Sequence, residues 1–79
     1  MMNGILKRLE KAEGMRDDEV EGEFWSWPEV DKCFCFFKFT DGKMRIIETS
    51  HVTKITKRDA GEVVFEAKDG VFQVTMTGK

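Results

Sequence analysis

The chain has few of the residues on which enzyme active sites depend. Its 79 residues include one histidine, two cysteines, one proline and no tyrosine. Nucleophilic and acid–base catalysis usually need a base that a third group holds near a nucleophile. A pair of His51 with Cys33 or Cys35 is conceivable, but both cysteines lie among phenylalanines, which is a poor setting for a thiolate. We therefore expect a protein that is not an enzyme and that uses no cofactor.

Long apolar runs are also lacking. No stretch approaches the roughly 20 apolar residues that a membrane-spanning helix needs. The N-terminal residues contain no hydrophobic segment of signal-peptide length. The sequence therefore predicts a cytoplasmic protein with no membrane partner. In a reducing compartment, Cys33 and Cys35 would be buried thiols, because a disulfide between alternate residues of one strand would be strained.

The potential metal ligands are too few for a zinc site within one chain. Cys33, Cys35 and His51 are residue types that bind zinc, but a structural zinc ion needs four ligands, and its cysteines are usually spaced by two to four residues. Here the spacer is one residue, so we expect no metal. A site shared across a dimer remains the alternative.

The charges are unevenly distributed along the chain. Residues 10–31 contain nine acidic and two basic residues, whereas residues 32–79 contain nine basic and six acidic residues. The net charge of −2 conceals this difference. The pattern predicts an acidic surface region beside a mildly basic sheet.

The N-terminal segment has the features of a short helix over residues 3–13. Asn3 is a suitable N-cap and Gly14 a suitable residue after the C-terminus of the helix. The apolar stripe of this helix would consist of Ile5, Leu9 and Ala12, with Leu6 beside it. Residues 15–23 are polar and acidic, and are interpreted as a connector.

Residues 24–77 show the alternation and the turns of an antiparallel sheet. Asp41-Gly42 is typical of a two-residue type I′ hairpin turn, and Lys68-Asp69-Gly70 indicates another tight turn. The strands are predicted at residues 24–27, 32–40, 44–49, 62–67 and 71–77, with a bend, bulge or helical turn within 50–56. We expect a single α+β domain, mainly β, with the N-terminal helix followed by a four- to five-stranded antiparallel meander, which could curl into a small half-open barrel.

The predicted strand at residues 33–39 has aromatic side chains on both faces. Alternation places Cys33, Cys35, Phe37 and Phe39 on one face, and Phe34 and Phe36 on the other. Either both faces are covered by the fold, or one face is a docking surface.

The function that this pattern favours is a small protein-interaction module, or an accessory or inhibitory protein. Its apolar anchors would be Trp25, Trp27, Phe34 and Phe36, and its electrostatic part would be Asp17, Asp18, Glu19, Glu21 and Glu23. Phe34 and Phe36 could instead be core residues, and the acidic residues a solvated loop. Self-association is a further expectation, for example through an unpaired edge at residues 71–77.

The alternative function is binding of single-stranded nucleic acid by a small β-barrel. Phe34, Phe36 and Trp25 could stack on bases, and the basic residues of the sheet could contact phosphates. These basic residues are Lys38, Lys43, Arg45, Lys54, Lys57 and Arg58. This function is less favoured, because the chain is acidic overall and has no arginine cluster.

Overall fold

Six antiparallel strands form a closed barrel in the computed structural model, which describes residues 1–10 and 19–77. Each strand pairs with the next along the chain, and the last pairs with the first. The strands are β1 (Met2–Glu10), β2 (Glu19–Phe24), β3 (Cys33–Thr40), β4 (Lys43–Asp59), β5 (Glu62–Ala67) and β6 (Gly70–Met76). These two ranges contain no helix, and therefore none that could cross a membrane.

The predicted N-terminal helix is wrong, because residues 2–10 form strand β1. β1 pairs with β2 on one side and with β6 on the other. Its inward positions include Gly4 and Leu6, which are buried, so its side chains follow the period of a strand. Gly4 leaves room for the Phe24 ring: a Cβ there would lie 2.6 Å from the ring and 2.6 Å from the Thr75 carbonyl oxygen. The last three residues of the predicted helix, residues 11–13, lie outside the described residues.

The predicted connector and the predicted first strand both differ from the observed strand β2. Residues 19–23 of the predicted acidic connector belong to β2, while residues 15–18 lie outside the described residues. The strand predicted at residues 24–27 is wrong as well, because β2 ends at Phe24. The chain then bends, and Pro28 is fully buried.

The predicted hairpin turns are confirmed. Asp41 and Gly42 have φ angles of 52° and 75°, the left-handed conformation that a type I′ turn requires at both central residues. The turn at Gly70 joins β5 to β6. Because β6 pairs with both β5 and β1, the predicted free edge at residues 71–77 is absent from the described fold.

Strand β4 is long and irregular, and it pairs with a different strand along each half of its length. Its residues 43–51 pair with β3, and residues 52–59 pair with β5. The register shifts near residues 49–50, 53 and 56, which agrees with the bulge alternative predicted for this segment. The Thr53 and Thr56 hydroxyls donate to carbonyl oxygens of β5, at Glu66 (3.2 Å) and Val64 (3.3 Å). The strand therefore changes its register at the bulges while it remains hydrogen-bonded to β5.

The core is an aromatic cluster enclosed by the barrel. The Phe34 ring centroid lies 5.3 Å from that of Phe65 and 6.0 Å from that of Phe24. The buried Thr49 hydroxyl accepts a hydrogen bond from the Phe34 N–H (3.2 Å). Buried apolar side chains come from every strand of the described fold: Leu6, Phe24, Phe34, Phe36, Val52, Val63, Phe65, Phe72 and Val74.

Strands β2 and β3 approach each other closely at a crossing, but they pair over a short stretch. Their one register pair in the described part of the chain joins Glu23 to Phe37. The crossing depends on Gly22, because a Cβ at this position would overlap the Phe37 carbonyl oxygen and lie 2.9 Å from the Phe36 ring. Beyond the crossing, β3 and the first half of β4 continue as a two-stranded hairpin, which carries the candidate site.

Candidate interaction surface

The hairpin at residues 37–46, called here the ribbon, has little strand pairing with the rest of the barrel. Its two strands pair with each other in register from Phe37–Ile46 to Thr40–Lys43. Apart from the Glu23–Phe37 pair, neither strand of the ribbon has another strand partner among the described residues. An isolated two-stranded hairpin is marginally stable in water, so its side chains are placed by the crossing at Gly22 and by contacts across the hairpin.

The outer face of the ribbon is apolar and exposed. Cross-strand pairing places Phe37 beside Ile46, and Phe39 beside Met44, on this side of the hairpin. The side chains of Ile46, Phe39 and Met44 are 59%, 54% and 53% exposed, and that of Trp25 is 70% exposed. Trp25 extends the patch, because its ring lies 6.2 Å from that of Phe37. We call these five residues, Trp25, Phe37, Phe39, Met44 and Ile46, the ribbon face.

The ribbon face is as large as patches that usually have a function. A large apolar side chain has roughly 150–250 Å² of surface, so four such side chains at these exposures present on the order of 500 Å². The largest apolar patch on a typical soluble monomer is about 300–600 Å² and is often a binding site. The ribbon face is therefore comparable in size to the largest apolar patch of an ordinary monomer, and it is the candidate site of this chain.

A cleft opens beside the ribbon face, under Trp25. It has a volume of about 300 Å³ and lies between the segment after β2 and the outer side of β3. Its walls include Trp25, Trp27, Cys33, Cys35 and Phe37. The cleft can therefore accept an apolar side chain of a partner next to the exposed patch.

Acidic side chains border the ribbon face on its β2 side. Glu23 is the cross-strand neighbour of Phe37, and Glu21 lines a second cleft together with Phe39. Neither carboxylate forms an ion pair within the described residues. At the other end of the face, Glu48 lies opposite Cys35.

Ion pairs form elsewhere on the surface, at the β4–β5 hairpin and between Lys32 and Glu29 in the wall of the cleft. The Lys57 ammonium lies 2.9 Å from a Glu62 carboxylate oxygen and 3.4 Å from one of Asp59. The hydrogen bond between Lys57 and Glu62 raises the pKa of Lys57 and lowers the pKa of Glu62.

The opposite face of the ribbon is basic. Lys38 pairs with Arg45, and Thr40 with Lys43, so these side chains project away from the ribbon face. They line a cleft of about 350 Å³ together with Asp41. Across the described ranges, none of the three cations forms an ion pair. The ribbon therefore separates apolar and cationic side chains onto its two sides.

The cysteines lie on the outer side of β3, contrary to the predicted burial. Cys33 is exposed and Cys35 half-buried, and both are free thiols. Partial burial raises the pKa of Cys35, and so does its hydrogen bond to Glu48 (Sγ–Oε2, 3.5 Å). His51 is the cross-strand neighbour of Cys33, yet the described residues include no group of three or more His, Cys, Asp or Glu side chains that could hold a metal ion.

The aromatic residues predicted as contacts divide between surface and core. Trp25 is exposed, as an apolar anchor must be, and Trp27 is half-buried, with its ring edge-on to Phe24 at 4.9 Å. Phe34 and Phe36 are corrected from surface anchors to core residues, because their side chains are 3% and 0% exposed. Their burial is the alternative that the sequence left open, although strands cover them and not a helix.

The acidic residues predicted as contacts form a row where they are described. Glu19, Glu21 and Glu23 alternate with the inward positions of β2 and project from its outer face. Glu19 and Glu21 are exposed and Glu23 half-buried. Asp17 and Asp18 lie outside the described residues.

Sequence reasoning missed four residues of the site: Phe37, Phe39, Met44 and Ile46. The signal that could have found them was the type I′ turn. A two-residue turn at Asp41-Gly42 fixes the pairing of Phe39 with Met44 and of Phe37 with Ile46. The same register brings Lys38 beside Arg45 on the other side.

Comparison of the chain with protein-family models, curated proteins and solved structures found no match in any of the three. Conclusions about its activity therefore have to come from its own side chains.

Proposed function

We propose that this chain is a small, non-enzymatic protein-interaction module that binds through the ribbon face. The single observation that supports the proposal is the contiguous exposure of Trp25, Phe39, Met44 and Ile46 on one side of a hairpin. Burial of one such side chain contributes roughly 1.5–3 kcal/mol. A few of them can offset the entropic cost of association and give a micromolar complex.

The cleft under Trp25 and the acidic row of β2 support the same proposal. Interfaces usually have a few apolar anchors at their centre and polar side chains around them. Trp25 and Phe37 border the cleft, and Glu21 and Glu23 border the patch. The carboxylates would favour basic groups of a partner and accelerate its approach.

Binding of single-stranded nucleic acid has less support. This function needs aromatic side chains and cations on the same surface. Phe34 and Phe36 are buried, and Lys38, Lys43 and Arg45 lie on the side of the ribbon opposite its exposed aromatics. The acidic row of β2 would repel phosphates near the ribbon face.

The proposal predicts that capture of protein partners depends on the ribbon face. The chain would be immobilised through a terminal tag and incubated with lysate of its source cell, supplemented with an untagged copy of the chain. We expect Ile46→Glu to abolish capture, because it places a charge at the centre of the patch. Leu9→Glu is the matched control, because Leu9 is another exposed apolar residue of a strand and lies outside the ribbon face.

Mass spectrometry of the retained proteins would give the result. The proposed function is supported if at least one protein is retained by the wild type and by Leu9→Glu but is not retained by Ile46→Glu. If the wild type and both variants retain the same proteins, the proposed function is wrong. It is also wrong if none of them retains any protein, including the untagged copy of the chain.

A further inference from the structure

We propose that the partner of the ribbon face is a second copy of this chain, and that two copies form a dimer with their ribbon faces packed together. This inference depends on the proposed function, because it uses the same surface. It adds the identity of the partner and the symmetry of the complex.

The surface area of the ribbon face is sufficient for a weak dimer. Each copy would bury on the order of 500 Å², which gives roughly 1,000 Å² in total. About 1,000 Å² is the lower limit for a specific protein–protein interface. A dimer of this size would exchange with monomer at micromolar concentrations.

The residue pattern of the ribbon face suits contact with an identical face. The face consists of two apolar cross-strand pairs, Phe37–Ile46 and Phe39–Met44, with no charged side chain between them. In a two-fold dimer each patch contacts its own copy, so the patch must complement itself. Two flat apolar rows can do so without leaving a buried charge unpaired.

The charges on the two sides of the ribbon face indicate how the copies are oriented. Glu21 and Glu23 lie on the β2 side, while Lys43 and Arg45 lie on β4, whose first half has no strand partner beyond β3 in the described fold. A two-fold axis parallel to the ribbon strands places the β4 side of one copy over the β2 side of the other. Lys43 and Arg45 project from the opposite side of the ribbon, so their charges reach these carboxylates by extension of the long side chains around the free β4 edge.

Pairing of two β4 edges into one continuous sheet is the less favourable arrangement. It would bring Arg45 and Lys43 of one copy close to the same residues of the other. Like charges facing each other across strands are destabilising, and basic side chains commonly protect free edges from pairing. Packing through the ribbon face avoids this repulsion.

Sedimentation equilibrium of the full chain tests the dimer. The weight-average mass of the wild type should rise from 9.2 kDa toward twice that value between about 1 and 500 µM. Ile46→Glu should remain monomeric over this range, and Leu9→Glu should behave as the wild type. Circular dichroism and thermal unfolding of each variant would establish that it is folded.

The orientation is tested by exchanging two charges. Arg45→Glu should weaken the dimer about threefold or more, because a carboxylate at the β4 edge would repel Glu21 of the second copy instead of attracting it. Adding Glu21→Arg to Arg45→Glu should restore the wild-type dissociation constant. An unchanged constant for Arg45→Glu would overturn this orientation.

Failure of the dimer differs from failure of the proposed function. A wild-type chain that stays monomeric to 500 µM, or an Ile46→Glu variant that still dimerises, overturns the dimer. If the capture experiment still shows a protein lost only with Ile46→Glu, the ribbon face binds a different partner. If both experiments are negative, the proposed function is wrong as well.

Discussion

Replacing Phe36 by alanine is expected to unfold most of the molecules. The Phe36 side chain is fully buried, and its ring lies 6.2 Å from that of Phe24 and 6.4 Å from that of Phe34. Truncation of a buried phenylalanine costs about 3–5 kcal/mol. A core in a chain of this size rarely supplies more than about 3–5 kcal/mol of net stability, so the loss is comparable to the whole.

Urea unfolding followed by tryptophan fluorescence measures this loss, because Trp27 packs against Phe24 in the core. Phe36→Leu keeps part of the volume and should remain folded with a loss of roughly 1–2 kcal/mol. Phe39→Ala is the matched control on the outer side of the same strand, and should change the free energy of unfolding by less than about 0.5 kcal/mol. Equal losses for Phe36→Ala and Phe39→Ala would contradict the assignment of the two faces of β3.

Substitution of Gly22 by alanine is expected to destabilise the barrel by about 1–3 kcal/mol or more. The added Cβ would overlap the Phe37 carbonyl oxygen and contact the Phe36 ring. A side chain could rotate away, but the carbonyl belongs to the backbone of β3 at the crossing. Relief therefore requires β2 and β3 to move apart, which would open the barrel where they share one register pair.

The direction of the change in stability for Gly22→Ala distinguishes the described crossing from a crossing with free space. Gly22 is in a strand and needs no left-handed conformation, so alanine would otherwise stabilise the fold by roughly 0.5–1 kcal/mol through the unfolded chain. Glu21→Ala, one residue away on the exposed face, is the control and should be nearly neutral. A higher midpoint of thermal unfolding for Gly22→Ala would show that β2 and β3 do not approach as described.

The strands joined by local turns were predictable, whereas the N-terminal strand was not. Alternation and the turns at Asp41-Gly42 and Gly70 are local signals, and the structure follows them. Residues 2–10 contain both a helical stripe and a strand alternation, and neither pattern is strong. The pairing of β1 with β6, nearly the whole chain length away, decides in favour of the strand. No local sequence pattern indicates the pairing of β1 with β6, so the closure of the barrel was not predicted either.

The choice of the inner face of β3 could not be made from the sequence either. Phe34 and Phe36 face one way, and Phe37 and Phe39 face the other, so each side carries two aromatic rings. Hydrophobicity alone gives no preference between them. The barrel encloses the first pair, with Phe36 under the crossing at Gly22 and Phe34 against Phe24 and Phe65, and leaves the second pair on the ribbon. Trp25 and the glutamates of β2 were identified by residue type, as an aromatic anchor and an acidic run, although the strand at 24–27 and the connector predicted for them were wrong.

Hydroxyl-radical footprinting of the two faces of β3 tests whether one face lies in the core and the other face contacts a second copy of the chain. Phe36 and Phe39 are the same residue type on the same strand, so their oxidation rates differ only through accessibility. In dilute protein, Phe39 should oxidise much faster than Phe36, and at high concentration its rate should fall while that of Leu9 stays constant. Equal rates for Phe36 and Phe39 in dilute protein would contradict the assignment of the faces, and a Phe39 rate that ignores concentration would contradict self-association through the ribbon face.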